Sequence, residues 1–172
     1  VYLPVLRSHP LFYQLVELGE YGVMRVCHVA MSEHSLAEQE HLFDVRDKAD
    51  SMYWVLTGAI DYFVKGTETS RFTVEEDSFF CEMVLWIYWD HQGRAIAQKQ
   101  TDSMLLNGDH FRNIMSQAVT RWAMAAYAKS FVEELQKEKD VHDVWPCFDK
   151  ALDLAQDAFE IEDEEDPMVG ER

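Results

Sequence analysis

The sequence predicts an α+β fold, in which an antiparallel β-roll of the jelly-roll type (a double-stranded β-helix) is flanked by N- and C-terminal helices. Apolar residues recur at helical spacing over residues 1–35, alternate with period two over residues 36–106, and return to helical spacing from residue 107. Of the 172 residues, 48% are hydrophobic, which suffices for one packed domain.

Two helices are predicted before the roll. Ser8 is suited to cap the first helix, Pro10 to occupy its first turn, and Gly19 to end it. Apolar residues then recur at helical spacing from Val23 through about Met31, which predicts the second helix.

Alternation and turn signals predict the strands of the roll. Residues 52–56 alternate up to Gly58, residues 60–64 alternate again, and residues 71–74 follow a polar turn. Short strands with close turns are typical of antiparallel rolls and sandwiches. We expect neighbouring side chains of residues 52–56 to lie on opposite faces of the sheet, with Leu56 in the core.

Helices are predicted again over residues 107–138, and a further helix within residues 139–159. Asn107 is the candidate N-cap, and the apolar pattern after it fits either one long helix or two helices joined by a bend. Pro146 is suited to start the last helix. Residues 160–172 are strongly acidic, and we predict that they are disordered.

The charge balance excludes some classes of partner. The chain has 15 basic and 32 acidic side chains, a net charge of −17. This excess argues against nucleic acid, whose affinity rests on neutralising phosphates, and against anionic membranes. No apolar run reaches the roughly 18 residues of a membrane span. The three cysteines lie far apart, so we predict free thiols and an intracellular, cytoplasmic location, including the cytoplasmic side of a membrane protein.

The sequence contains no motif for catalysis or for a metal site. None of the seven histidines belongs to an H-x3-H or HExxH pattern. The serines and cysteines lack a G-x-S-x-G or Cys–His context. We therefore predict a protein that is not an enzyme, with no catalytic residue and no metal ligand.

Several short motifs, in this order, resemble the cyclic nucleotide-binding domain superfamily, which includes the catabolite activator protein, protein kinase A regulatory subunits and cyclic nucleotide-gated channels. Residues 51–58, Ser-Met-Tyr-Trp-Val-Leu-Thr-Gly, match a strand of the family most closely. Residues 9–12 resemble its entry helix, residues 42–50 an earlier strand and turn, and residues 105–111 its last strand and the following helix. The resemblance spans residues 9–135 and implies a β-roll with a ligand pocket.

Residues 80–97 resemble the family's phosphate-binding cassette, in which F-G-E is followed by a short helix and then by R-[TSA]-A. The resemblance implies that the Gly admits the phosphate, that the helix offers it N–H groups, that the Arg neutralises it, and that the Glu accepts from the ribose 2′-hydroxyl. The candidate ligand-binding residues are Phe80, Cys81, Glu82, Met83, Leu85, Trp86, Arg94, Ala95 and Ala97.

The cassette departs from the family pattern at both ends. Cys81 stands at the Gly position, where its Cβ would crowd the phosphate. If Ala97 matches the family's Ala, then Ala95 takes the Arg position and the phosphate has no counter-charge. If Arg94 is the binding Arg, the register shifts by one residue and the side chains change faces. The segment between Glu82 and Arg94 is also long and bulky, and a packed Trp86 or Trp89 would fill space that a purine needs.

We therefore predict a non-catalytic regulatory or assembly module with a degenerate pocket, which takes no cofactor and does not bind cAMP or cGMP with high affinity. One alternative is a working sensor of a cyclic nucleotide or another small molecule in a channel or kinase. Another is a structural or interaction subunit of a larger complex. In each case we expect a protein partner or an attached effector domain. The sensor requires an open pocket at Glu82 and Arg94, and the interaction subunit requires an exposed apolar face, which we expect on the helices after Asn107.

Overall fold

In the computed structural model, which describes residues 2–67 and 71–160, helices flank a β-roll on both sides. The helices are α1 (Tyr2–Leu6), α2 (Pro10–Glu17), α3 (Tyr21–Val29), α4 (Gly108–Met115), α5 (Arg121–Leu135) and α6 (Phe148–Glu160). The strands are β1 (Met31–Leu36), β2 (His41–Phe43), β3 (Lys48–Ala49), β4 (Ser51–Thr57), β5 (Ile60–Val64), β6 (Arg71–Val74), β7 (Phe79–Phe80), β8 (Trp89–Asp90), β9 (Gly93–Ala97) and β10 (Thr101–Asn107). A 3₁₀ helix covers Glu82–Leu85.

The roll consists of two four-stranded sheets and a short strand pair. The sheet orders are β1-β10-β4-β7 and β2-β9-β5-β6, and β3 pairs with β8. Every pairing is antiparallel. The predicted α+β fold, an antiparallel β-roll between helices, is confirmed.

The start of α2 corrects one prediction of the sequence analysis. The N-cap is His9 rather than Ser8, and its Nδ1 accepts a hydrogen bond from the Leu11 N–H at 3.2 Å. The reason is Pro10, which occupies the first helical position and thereby makes the preceding residue the cap. Gly19 lies just beyond the helix with a φ of +68°, so the predicted helix end is confirmed.

The strand β1 lies where the sequence analysis predicts the end of a helix. The helix α3 ends at Val29, and Met31–Leu36 pairs with β10 along its whole length. The roll therefore begins before residue 36. The four central residues of β1 are exposed, so neither apolar period is present to indicate a strand. The pairing with β10 makes this segment a strand.

After the roll, the chain forms two helices joined by a turn, then a third. The Asn107 side chain accepts from the His110 N–H at 3.0 Å, which confirms the predicted N-cap of α4. The last helix begins at Phe148 rather than at the predicted Pro146, and it includes Glu160, which belongs to the segment predicted to be disordered. The rest of the predicted acidic tail lies outside the described residues. Residues 136–147, between α5 and α6, run back over the roll, and we call this segment the strap.

The strand β4 is buried on both faces. Trp54 contacts Phe12 of α2, with ring centroids 6.1 Å apart, and Tyr53 contacts Phe43 inside the roll, also at 6.1 Å. The expected division of β4 between two faces is therefore present. Leu56 is only partly buried, in contrast to its expected place in the core. Within the described residues, no helix is both long and apolar enough to cross a bilayer.

Candidate functional site

The cassette begins at a left-handed residue between β7 and the 3₁₀ helix. Cys81 has a φ of 63°, a conformation that glycine adopts without strain. The backbone is thus left-handed at this position although the residue is Cys and not Gly. The Cys81 side chain is fully buried. Burial, followed by the nearby charge of Asp143, raises the pKa of its thiol well above the ordinary value.

Glu82, the candidate ribose-binding residue, is engaged with other parts of the protein. Its carboxylate lies 2.9 Å from His9 Nε2 and accepts from the Tyr127 hydroxyl at 2.7 Å and from Trp86 Nε1–H at 3.2 Å. Because His9 Nδ1 already accepts from the Leu11 N–H, Nε2 is the nitrogen that donates to Glu82. Glu82 is fully buried, and its hydrogen bonds connect the N-cap of α2, the cassette and α5.

The strand β9 places the two candidate residues, Arg94 and Ala95, on opposite faces of the sheet. Gly93, Ala95 and Ala97 are fully buried, whereas the residues between them are partly exposed. The Arg94 guanidinium lies 4.9 Å from the centroid of the Phe63 ring, on the outer face of the sheet. Ala95 therefore faces the interior, and β9 offers no positive charge to the inside of the roll.

The strap carries a carboxylate into the cassette. Asp143 is fully buried, and the Cys81 N–H donates to its backbone carbonyl at 2.7 Å. Its side chain accepts five hydrogen bonds. The donors are the Tyr62 hydroxyl (2.6 Å), the Gln92 N–H (2.8 Å), Trp89 Nε1–H (2.9 Å), His91 Nδ1–H (2.9 Å) and the Gly93 N–H (3.2 Å).

These hydrogen bonds determine the charge of Asp143. Burial acts to raise the pKa of its carboxyl group, but the hydrogen bonds from His91 and Tyr62 outweigh burial and hold the pKa below the ordinary value. The carboxylate is therefore ionised. Burial and the charge of Asp143 raise the pKa of the Tyr62 hydroxyl, so this group remains a donor. A buried anion thus lies between Cys81 and the start of β9.

Aromatic side chains surround this anion and fix the strap. Phe43 stacks on His91 with ring centroids 3.5 Å apart. In the strap, Trp145 contacts Phe131 of α5 at 4.9 Å, and His142 contacts Phe72 of β6 at 4.6 Å. The strap is therefore packed against both the roll and α5.

Most of the candidate residues lie together in the core around the cassette. Phe80, Met83 and Leu85 are buried apolar residues, and Trp86 packs against Tyr127 of α5 at 5.2 Å. Arg94 is the exception, because it lies on the outer face. The sequence analysis missed the polar partners His9, Tyr62, His91, Tyr127 and Asp143. His9 opens the motif of residues 9–12, but nothing in that motif marks it as a partner of Glu82. The other four belong to no local motif, and Asp143 lies beyond the residues that resemble the family.

No protein-family model matches the chain, and no curated protein matches it. Among solved structures, a cyclic nucleotide-binding-like protein from Brucella abortus is similar with a TM-score of 0.55 and 22% identity, over 67% of this chain and 97% of that chain. The sensor domain of the transcriptional regulator DNR from Pseudomonas aeruginosa has a TM-score of 0.60 and 13% identity, over 80% and 94%. The C-linker/CNBHD of zELK channels has a TM-score of 0.52 and 16% identity, over 64% and 60%.

These neighbours include a bacterial sensor domain and a channel domain, and they share one architecture with this chain. The chain has the cyclic nucleotide-binding-like fold, which confirms the resemblance at the level of fold.

Proposed function

We propose that this chain is a non-catalytic regulatory or assembly module in which the strap takes the position of the ligand, and that it does not bind cAMP or cGMP with high affinity. The observation that carries the proposal is the buried Asp143 carboxylate, which accepts five hydrogen bonds beside the cassette. In binding members of the family, the phosphate of the ligand lies against this part of the cassette. The fold of the chain and its similarity to regulatory sensor domains support the same class.

Two anions do not share one set of donors. A cyclic nucleotide must displace Asp143, and the five donors then lose a buried, ionised acceptor. The ligand recovers little in return, because Ala95 faces inward and the candidate Arg94 lies on the outer face. A missing charge-assisted hydrogen bond to phosphate costs about 1.5–3 kcal/mol, so two such bonds would change a micromolar site into a millimolar one.

Calorimetric titration with cAMP and with cGMP at moderate salt tests this proposal. We expect no saturation below millimolar nucleotide, in the wild-type chain and equally in Arg94→Ala, because Arg94 lies on the outer face. Lys65→Ala is the matched control, because it removes a cation from the same outer surface. Micromolar binding by the wild-type chain would contradict the proposal and support the sensor alternative.

One observation favours the alternative of an interaction subunit. Apolar side chains are exposed on and around α2 and α3, namely Leu18 (56% exposed), Tyr21 (76%), Met24 (44%) and Val29 (58%). The sequence analysis expects such a face after Asn107, where the described exposed residues of this kind are Val119 and Phe148. Sedimentation over a concentration series tests self-assembly through this face. Leu18→Ser with Met24→Ser should weaken any association, and a monomer at every concentration excludes self-assembly.

A further inference from the structure

Three side chains that commonly bind transition metals converge beneath the strap. Cys81 Sγ lies 4.0 Å from His91 Nδ1, and His91 Nδ1 lies 2.9 Å from Asp143 Oδ1. All three side chains are buried, and their donor atoms lie within 4.8 Å of one another. They come from the turn before the 3₁₀ helix, the turn between β8 and β9, and the strap. The sequence analysis finds no metal motif because these segments meet only in the folded chain.

One nitrogen atom faces two partners at this point. His91 Nδ1 can donate one proton to Asp143, or accept one from the Cys81 thiol, but it cannot satisfy both partners at once. A cation among the three atoms would accept an electron pair from each of them. Zinc bonds of about 2.0–2.3 Å hold neighbouring tetrahedral ligands about 3.3–3.6 Å apart. To reach this range, the distance from Cys81 Sγ to His91 Nδ1 must shorten slightly from 4.0 Å, and the distance from His91 Nδ1 to Asp143 Oδ1 must lengthen slightly from 2.9 Å.

The surroundings already orient the carboxylate. Trp89 Nε1–H donates to Asp143 Oδ1, while the Tyr62 hydroxyl and the Gln92 and Gly93 N–H groups donate to Oδ2. One electron pair of Oδ1 is directed at His91. Hydrogen bonds to the groups that bind a metal commonly fix their orientation in this way.

We propose that Cys81, His91 and Asp143 bind one zinc ion, or a divalent ion with similar ligand preference, with water as the fourth ligand. The mixture of sulfur, nitrogen and oxygen donors suits zinc, whereas calcium and magnesium prefer oxygen donors alone. Binding releases the thiol proton to solvent and moves the imidazole proton from Nδ1 to Nε2. The thiolate and the carboxylate then balance the two charges of the ion, so that the buried site is neutral.

The metal would fasten the strap to the cassette. Cys81 and His91 belong to the roll, and Asp143 belongs to the strap. The ion enters when the strap opens, because all three donors are buried in the closed chain. The idea that zinc regulates closure of the strap rests on the proposed function. Metal binding itself is measured directly, so its failure is distinguishable from a failure in the nucleotide titration.

Spectroscopic titration of the metal-free full chain tests the site, with Co²⁺ as the probe and Zn²⁺ as the competitor. We expect one equivalent of Co²⁺ to produce d–d bands of a four-coordinate site and a thiolate charge-transfer band, and Zn²⁺ to abolish both. Cys81→Ser should remove the charge-transfer band. Cys27→Ser is the matched control, because it alters a buried thiol outside the cluster and should keep the band.

Asp143→Asn provides a second test, because it keeps the size of the side chain. We expect its affinity for Zn²⁺ to fall by more than the roughly 10- to 100-fold loss typical of groups that only support a metal ligand. Circular dichroism verifies that each variant is folded. The proposal is overturned if the charge-transfer band is absent from the wild-type chain, or if the band depends on the exposed Cys147 rather than on Cys81.

Discussion

Tyr62 and Asp143 lie 81 residues apart in the sequence and hydrogen-bond each other twice. The Tyr62 hydroxyl donates to the Asp143 carboxylate at 2.6 Å and accepts from the Asp143 N–H at 3.2 Å. Both residues are fully buried. The pair therefore connects the strap to β5. Because neither group can reach water, each supplies the other's hydrogen-bond partner.

Tyr62→Phe should lower the free energy of unfolding by about 1–3 kcal/mol, because it leaves a buried N–H without an acceptor and removes one donor from a buried carboxylate. Urea denaturation at pH 7 measures the change. Tyr88→Phe is the control, since Tyr88 is 90% exposed and should stay within about 0.5 kcal/mol of wild type. Equal effects of the two substitutions would show that the pair does not stabilise the closed strap.

Glu82→Ala should lower the free energy of unfolding by about 3 kcal/mol or more. It leaves donors on His9, Trp86 and Tyr127 without an acceptor in the core. Glu133→Ala is the matched control on an exposed helix face, with an expected change of about 0.5 kcal/mol or less. Chemical denaturation compares the two variants. A Glu82→Ala protein as stable as the control would refute a structural role for Glu82.

Val55→Asp should abolish cooperative folding, whereas Leu56→Asp should leave a folded but less stable protein. Val55 is 1% exposed, and Leu56 is only partly buried at the end of β4. An unpaired carboxylate has a large desolvation cost when it is fully buried and a smaller one near the surface. Near-ultraviolet circular dichroism and thermal melting distinguish the two outcomes. The reverse order of the two variants would contradict the described position of β4.

Stability in acid should depend on Glu134, which joins α5 to α6. Hydrogen bonds from Lys137 and Lys150 lower the pKa of Glu134 from 4.5 to about 2. Because the pKa is lower in the folded protein, the stabilisation is present above pH 4.5 and is lost as the pH falls through 2.

Denaturation at a series of pH values compares the wild-type chain with Glu134→Gln. We expect the stability difference between them to be constant above pH 4.5 and to shrink towards zero near pH 2. Lys150→Met, which removes the partner on α6, should reproduce part of the loss at neutral pH. A difference that grows as the pH falls would have the wrong sign for this ion pair.

Local signals in the sequence predict the order of helices, roll and helices. Asn107 caps α4, Gly19 follows the end of α2, and Pro10 occupies the first turn of α2. These three features are predictable because each depends only on neighbouring residues. The polar strand β1 is not predicted from local signals, since its state depends on pairing with β10, whose partner residues lie 65 to 75 positions further along the chain.

The sequence by itself determined the fold class, since apolar period and motif order are properties of consecutive residues. Only the tertiary structure decided that Arg94 faces outward and that Asp143 lies buried between Cys81 and His91. The register of β9 is set by pairing with β5, and a one-residue shift exchanges the two faces of a strand. The meeting of Cys81, His91 and Asp143 depends on the path of the strap over the roll, and no spacing within the chain records that path.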